Sequence, residues 1–336
     1  LDSAEEGAIG LSVVPYATQV SAGADLLGQF NVSDEHDYSH CVNFDASSFD
    51  TTALDTDTPL DRAMHFYPYH NYWGQKVYST NCRTDPGSEI LPFSGSRQVL
   101  ADKIATLTAG GQTSIHTGVK WGAALLDEST RPAIDRLVEA GAVSPDFRGR
   151  PRDLDEPEVL KVMVVMTDGE NTAHDQIPDG FRSGESEFWI DPEDGFVSLE
   201  AEREVRHCEG RGWWRTCENS WETRYYVPHN RGWRETPYGG QDARQLDYAE
   251  LWAAGHYSTI RNIYANAGVY MPFSSLDTVS ASDKDQRLSR ICQAARDAGI
   301  VIYTVGFELP NDNAARVLRD CASSAGHFFL VEGLEI

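Results

Sequence analysis

The chain has 336 residues, with 28 Lys and Arg against 52 Asp and Glu, a formal charge of −24. That length holds one large domain or two ordinary ones, and 40% hydrophobic with 24% charged residues is a globular composition. The acidic balance argues against a nucleic-acid binder, which tracks phosphates with excess Lys and Arg, and against a general binder of anionic membranes. No apolar run approaches the roughly 20 residues of a membrane span.

In chain order, 8–16 reads as a strand stopped by Pro15, and 17–94 as a long irregular insertion. Val99, Leu100, Ile104 and Leu107 give 96–108 a helical apolar face, ended by Gly110-Gly111, and 116–128 reads as a second helix. After a charged linker, Val159 to Met166 is a near-continuous apolar strand, the pattern expected of burial on both faces in a parallel sheet. A second insertion, 173–282, is rich in Trp, Tyr and Arg, with a helical stretch from Tyr248 to Ala267. The helix Asp283–Ala298, strand 300–305, helix 313–324 and short strand 327–331 then restore an alternation that signals a parallel α/β sheet.

Six cysteines without a C-x-x-C pair fit disulfides in an oxidising compartment better than a zinc site. Sequence neighbourhood favours Cys41–Cys82, Cys208–Cys217 and Cys292–Cys321 among the 15 pairings that six cysteines allow. Open parallel sheets bind ligands at the carboxyl ends of their strands. Thr113, before the second helix, and Asp168, after the strongest strand, are hard oxygen donors suited to Mg²⁺, Mn²⁺ or Ca²⁺. Their ordinary alternatives are a helix N-cap for Thr113 and an Asp-Gly turn for Asp168. His36, His40, Cys41, His65 and His70 lack zinc spacing and read as loop residues, and Asp55, Asp57 and Asp61 lack the EF-hand pattern. Trp189, Trp213, Trp214, Trp221, Trp233 and Trp252 either form a satellite core or present a partner surface, the candidates for the latter being Trp213, Trp214, Trp221 and Trp233. No nucleophile elbow, H-E-x-x-H or phosphate loop is visible, so an enzyme reading has no residues to stand on.

Val164-Val165-Met166-Thr167-Asp168-Gly169-Glu170-Asn171 resembles the fourth-strand motif of von Willebrand factor A (VWA) domains. Gly111 to Gly122 resembles the threonine loop of that family, in the G-x-T-x-I-x-x-G-x-x-W-G form of TadG-like proteins of Tad/Flp pilus assembly. Ile90–Phe93, Ile302–Glu308 and Leu318–Ser324 match further family segments in the same order. The resemblance implies one Rossmann-like domain over 1–336, a mostly parallel sheet flanked by helices and interrupted by the insertions 17–94 and 173–282. It also implies a metal-ion-dependent adhesion site (MIDAS) that includes Thr113 and Asp168. The family's first loop, D-x-S-x-S, is missing with its strand; Asp45-Ala46-Ser47-Ser48-Phe49 lacks the final Ser and lies downstream of the second strand, so it reads as loop. With no secretory signal and a start at Leu1, the expectation is a processed or excised piece whose full-length form carries that strand and a membrane anchor upstream.

The expected function is therefore a non-enzymatic extracytoplasmic adhesion or assembly module of the cell envelope, with protein partners and no nucleic acid. The membrane would be reached only through the upstream anchor. The alternative is a metal-free scaffold whose insertions make the assembly contacts. A third reading, an accessory subunit of a metal-chelatase machine, sits poorly with six cysteines and no phosphate loop.

Overall fold

The computed structural model describes residues 7–67 and 80–333; His70 lies outside them. The chain divides into two compact units, one formed by 1–65, 79–176 and 277–336, the other by 66–78 and 177–276. The second unit takes in 177–276 of the segment 173–282.

The first unit is α/β. Val162–Thr167, Val301–Phe307 and Phe328–Val331 form a three-stranded parallel sheet with Val301–Phe307 in the middle. Val301 stands opposite Val162 and Thr304 opposite Phe328. Leu11–Val13 and Leu91–Ser94 make a separate antiparallel pair. The helix Ala281–Asp297 starts at a capping box between Ser280 and Asp283 and buries Leu288, Ile291 and Ala295, a 3.6-residue stripe. Asn311 caps the helix Asp312–Cys321 by accepting from the Ala314 N–H at 3.0 Å.

Two sequence expectations need correction here. The Val162–Thr167 strand is not buried on both faces: Met163 and Val165 are in the core, while Val164 and Met166 are 56% and 52% exposed. The covering helices account for this, because Ile115–Ala124, Ala281–Asp297 and Asp312–Cys321 contact the sheet and one another, and the alternate side chains find no such cover among the described residues. The 96–108 helix is shorter, Arg97–Ala105, and ends before Gly110-Gly111; of its apolar positions only Leu100 is buried. The segment 17–94 contributes to the core as well. Leu26, Leu27, Phe30, Phe44 and Phe49 join the main core, and Phe30 and Phe44 pack edge-on to the buried Trp121 at 5.9 and 5.8 Å.

All three favoured disulfides form, Cys41–Cys82, Cys208–Cys217 and Cys292–Cys321. They fit an oxidising, extracytoplasmic environment. No helix among the described residues is long and apolar enough to cross a membrane.

The second unit is a five-stranded antiparallel sheet in the order Gly232–Arg234, Thr216–Val227, Val197–Glu209, Glu185–Ile190, Arg244–Asp247. The expected helix from Tyr248 to Ala267 is two, Tyr248–Ala254 and Tyr257–Ala267, broken at Gly255-His256. Phe188, Leu199, Val227, Leu246 and Trp252 form its core. Tyr248 and Tyr264 both donate to the Glu187 carboxylate, at 3.1 and 2.9 Å. Burial, then that carboxylate, pushes both phenols up.

Candidate cation site at the carboxyl end of the parallel sheet

The loop 110–114 enters the helix Ile115–Ala124, and the loop 168–172 leaves the strand Val162–Thr167. Backbone and side-chain bonds hold the two loops side by side. The Thr113 N–H donates to Thr172 Oγ1 at 2.8 Å, and the Thr172 N–H donates back to the Thr113 carbonyl at 3.1 Å. Asn171 Oδ1 accepts from the Ile115 N–H at 2.8 Å, so a side chain from one loop satisfies a helix-start donor of the other. Its amide then donates to Asp285 at 2.9 Å, tying both loops to the Ala281–Asp297 helix.

Thr113 therefore does not cap its helix, which removes the ordinary reading of that residue. The N-cap position is Ser114, whose hydroxyl makes no capping bond. Thr113 is half-buried and Asp168 exposed. A side chain at Gly169 would stand 3.7 Å from Thr113 Oγ1, so the residue after Asp168 abuts that hydroxyl. Neither Thr113 Oγ1 nor the Asp168 carboxylate has a hydrogen-bond partner among the described residues.

Tyr16 closes the other side. Its hydroxyl donates to the Met166 carbonyl, and burial, with the Asp168 charge adding, pushes the phenol up to about 12. The ring lies against the Ile115–Ala124 helix where only glycine fits: a Cβ on Gly118 would come within 2.6 Å of it.

Beneath the loops sits Lys284, fully buried. Its ammonium donates to Ser114 Oγ at 2.6 Å and the Thr113 carbonyl at 3.2 Å, and Ser114 Oγ donates on to the Thr18 carbonyl at 2.7 Å. Burial, reinforced by Arg287, pushes Lys284 down to about 7. The buried His116 and His174 share this field: desolvation and then Lys284 hold His116 well below its usual range and His174 at about 3. Sequence reasoning missed Asn171 and Lys284. Asn171 was inside the quoted motif but its partner was 56 positions back, and Lys284 bonds to residues 170 and 171 positions back, which no local signal marks.

The donor chemistry fits a hard divalent cation in part. Thr113 and Asp168 offer oxygens only, and no group of three His, Cys, Asp or Glu side chains gathers among the described residues. Elsewhere, Asp55 spends its carboxylate on the Thr58 and Asp57 N–H groups and the Thr58 hydroxyl, which hold it below the usual range. It closes a turn. Asp45-Ala46-Ser47-Ser48-Phe49 runs into a 3₁₀ turn, Ala46–Asp50.

The tryptophans divide. Trp252 is buried; Trp189 Nε1 donates to Glu200 at 2.7 Å; Trp233 lies under the Arg203 guanidinium at 4.8 Å. Trp213, Trp214 and Trp221 are exposed, whereas Trp233 is half-buried. No family model, curated protein or solved structure matches the chain.

Proposed function

We propose that the chain is a non-enzymatic, extracytoplasmic adhesion or assembly module with a Rossmann-like, VWA-type first unit, similar to TadG-like pilus-assembly proteins. The single observation that carries this is the convergence of the Thr113 and Asp168 loops at the carboxyl end of the parallel sheet, with both side-chain oxygens unused. Those two residues would hold a divalent cation such as Mg²⁺ or Mn²⁺, which supplies electrostatic attraction for a carboxylate on a protein partner. The chain's own residues orient the donors. Asn171 and Thr172 fix the Thr113 loop against the strand end, and Tyr16 anchors the Met166 carbonyl just before Asp168.

Calorimetric titration with Mn²⁺ tests the reading. The expected affinity is weak, on the order of 10⁻⁴–10⁻³ M, because water must complete the shell, and Asp168→Ala abolishes it. Identical isotherms for wild type and Asp168→Ala would overturn it.

One observation favours a second reading, a metal-free scaffold. Lys284 already places a buried nitrogen at the Thr113 carbonyl, doing from inside what a cation does from outside. Under that reading the loops stay ordered in chelator, and partner contacts lie on the second unit.

A further inference from the structure

The strands Val197–Glu209 and Thr216–Val227 pair over eleven rungs, from Leu199 opposite Tyr226 to Glu209 opposite Thr216. Among the described residues, other strands flank this ribbon only at its base, through residues 197–199 and 225–227. Arg203 over Trp233 marks the last rung with outside packing. Beyond it six rungs, from Glu204–Trp221 to Glu209–Thr216, run as a bare two-stranded arm of roughly 20 Å. Such a ribbon is marginal alone. Here Cys208–Cys217 clamps it one rung below the end, and Asn219 bonds Glu204 across the strands at 3.0 Å.

The clamp holds a turn with one conspicuous content. Gly210 and Gly212, both at positive φ, carry the chain through a short 3₁₀ turn, Gly212–Trp214. Trp213 is fully exposed and Trp214 is 86% exposed, side by side. Arg211 and Arg215 bracket them, and 210–217 holds no acidic residue in a chain of charge −24. Each indole can bury about 150–250 Å², and Trp combines an apolar body with one N–H donor, the composition that favours the water–hydrocarbon boundary. Guanidinium groups beside the rings match phosphates by bidentate hydrogen bonds.

We propose that this disulfide-clamped tip is a wedge that inserts Trp213 and Trp214 into the headgroup region of a lipid bilayer, with Arg211 and Arg215 on lipid phosphates. The chain's net charge does not forbid this. At physiological salt charges more than roughly 8 Å away are largely screened, about two or three rungs of the arm, so the balance that matters is Arg211 and Arg215 in the turn itself against Glu209 on the terminal rung and Glu218 two rungs below it. The indoles supply most of the attraction, so the wedge takes zwitterionic lipid and gains from anionic lipid through its two arginines. The proposal stands apart from the cation site, since Thr113 and Asp168 belong to the other unit.

The test is co-sedimentation of the full chain with phosphatidylcholine vesicles, with and without phosphatidylglycerol, read together with tryptophan emission. Wild type binds both and its emission shifts to the blue. Trp213→Ala with Trp214→Ala lowers the partition coefficient by at least about tenfold, following the lost apolar area, while the melting temperature stays put because these rings pack on nothing. Arg211→Gln with Arg215→Gln removes the gain from phosphatidylglycerol and leaves binding to phosphatidylcholine. A wild type that ignores both vesicles, or a double-Ala variant that binds as wild type does, overturns the proposal. The first of these results would return the tip to a protein partner.

Discussion

The two faces of the three-stranded parallel sheet carry the same kind of side chain in opposite surroundings. Met163, Val165 and Ile302 lie under the helices, with Ile302 fully buried. One residue along, Val164 and Met166 meet solvent beside a half-buried Tyr303 that stacks on Phe329. Parallel strands with apolar residues at every position are built for cover on both sides, so hydrophobicity here reports what the strand is suited to rather than what surrounds it. The comparison also orders the expected effects of substitution.

Truncation on the sealed face comes first. Ile302→Ala or Leu288→Ala, each fully buried, lowers unfolding free energy by about 2–5 kcal/mol in a urea melt. Acidification acts through buried histidines. His174 is held at about 3, below its unfolded value of 6.5, so the unfolded chain takes up the proton first. Stability is complete above 6.5 and is lost as pH falls toward 3, by about 2 kcal/mol between pH 7 and pH 5 for this residue. His36, held at about 4, and His116 add in the same direction. Lys284 extends the trend upward: pushed down to about 7 from 10.5, it loses its proton in the folded chain first, so its contribution grows between those values. Urea midpoints at pH 5, 7 and 9 check the sign.

Gly118→Ala forces a methyl within 2.6 Å of the Tyr16 ring and costs about 1–3 kcal/mol. Asn171→Ala removes the donor-satisfying group at Ile115 and costs about 1–2 kcal/mol, with faster amide exchange at Ile115. Val164→Ser, on the open face, stays within about 0.5 kcal/mol. A cost for Val164→Ser as large as that for Ile302→Ala would show the open face to be covered in solution.

Much of this was legible in the sequence, for reasons that also mark the limit. The helix read as Asp283–Ala298, in the structure Ala281–Asp297, announced itself because its Leu288, Ile291 and Ala295 stripe is a local signal. Disulfide partners close in sequence were likewise readable, and Thr113 with Asp168 stood out as strand-end oxygens. What failed was non-local. Val99, Ile104 and Leu107 form a good helical stripe that no neighbour uses. Phe30 and Phe44 sit in a stretch without periodicity, yet they complete the packing of Trp121, 91 and 77 residues away. At the site the donors were visible, but the scaffold that aligns them was not. Asn171, Thr172 and Lys284 act on positions 56 to 171 residues distant.

The central claim is that Thr113 and Asp168 form one cation platform, as distinct from the diffuse attraction any chain of charge −24 exerts. Paramagnetic broadening of amide resonances by substoichiometric Mn²⁺ tests it most directly. The account predicts selective loss of the Thr113, Asp168, Gly169 and Thr172 signals in wild type and their recovery in Asp168→Ala. Broadening centred on the acidic turn at Asp55–Asp61, or spread evenly over the acidic surface with those four signals intact, would contradict it.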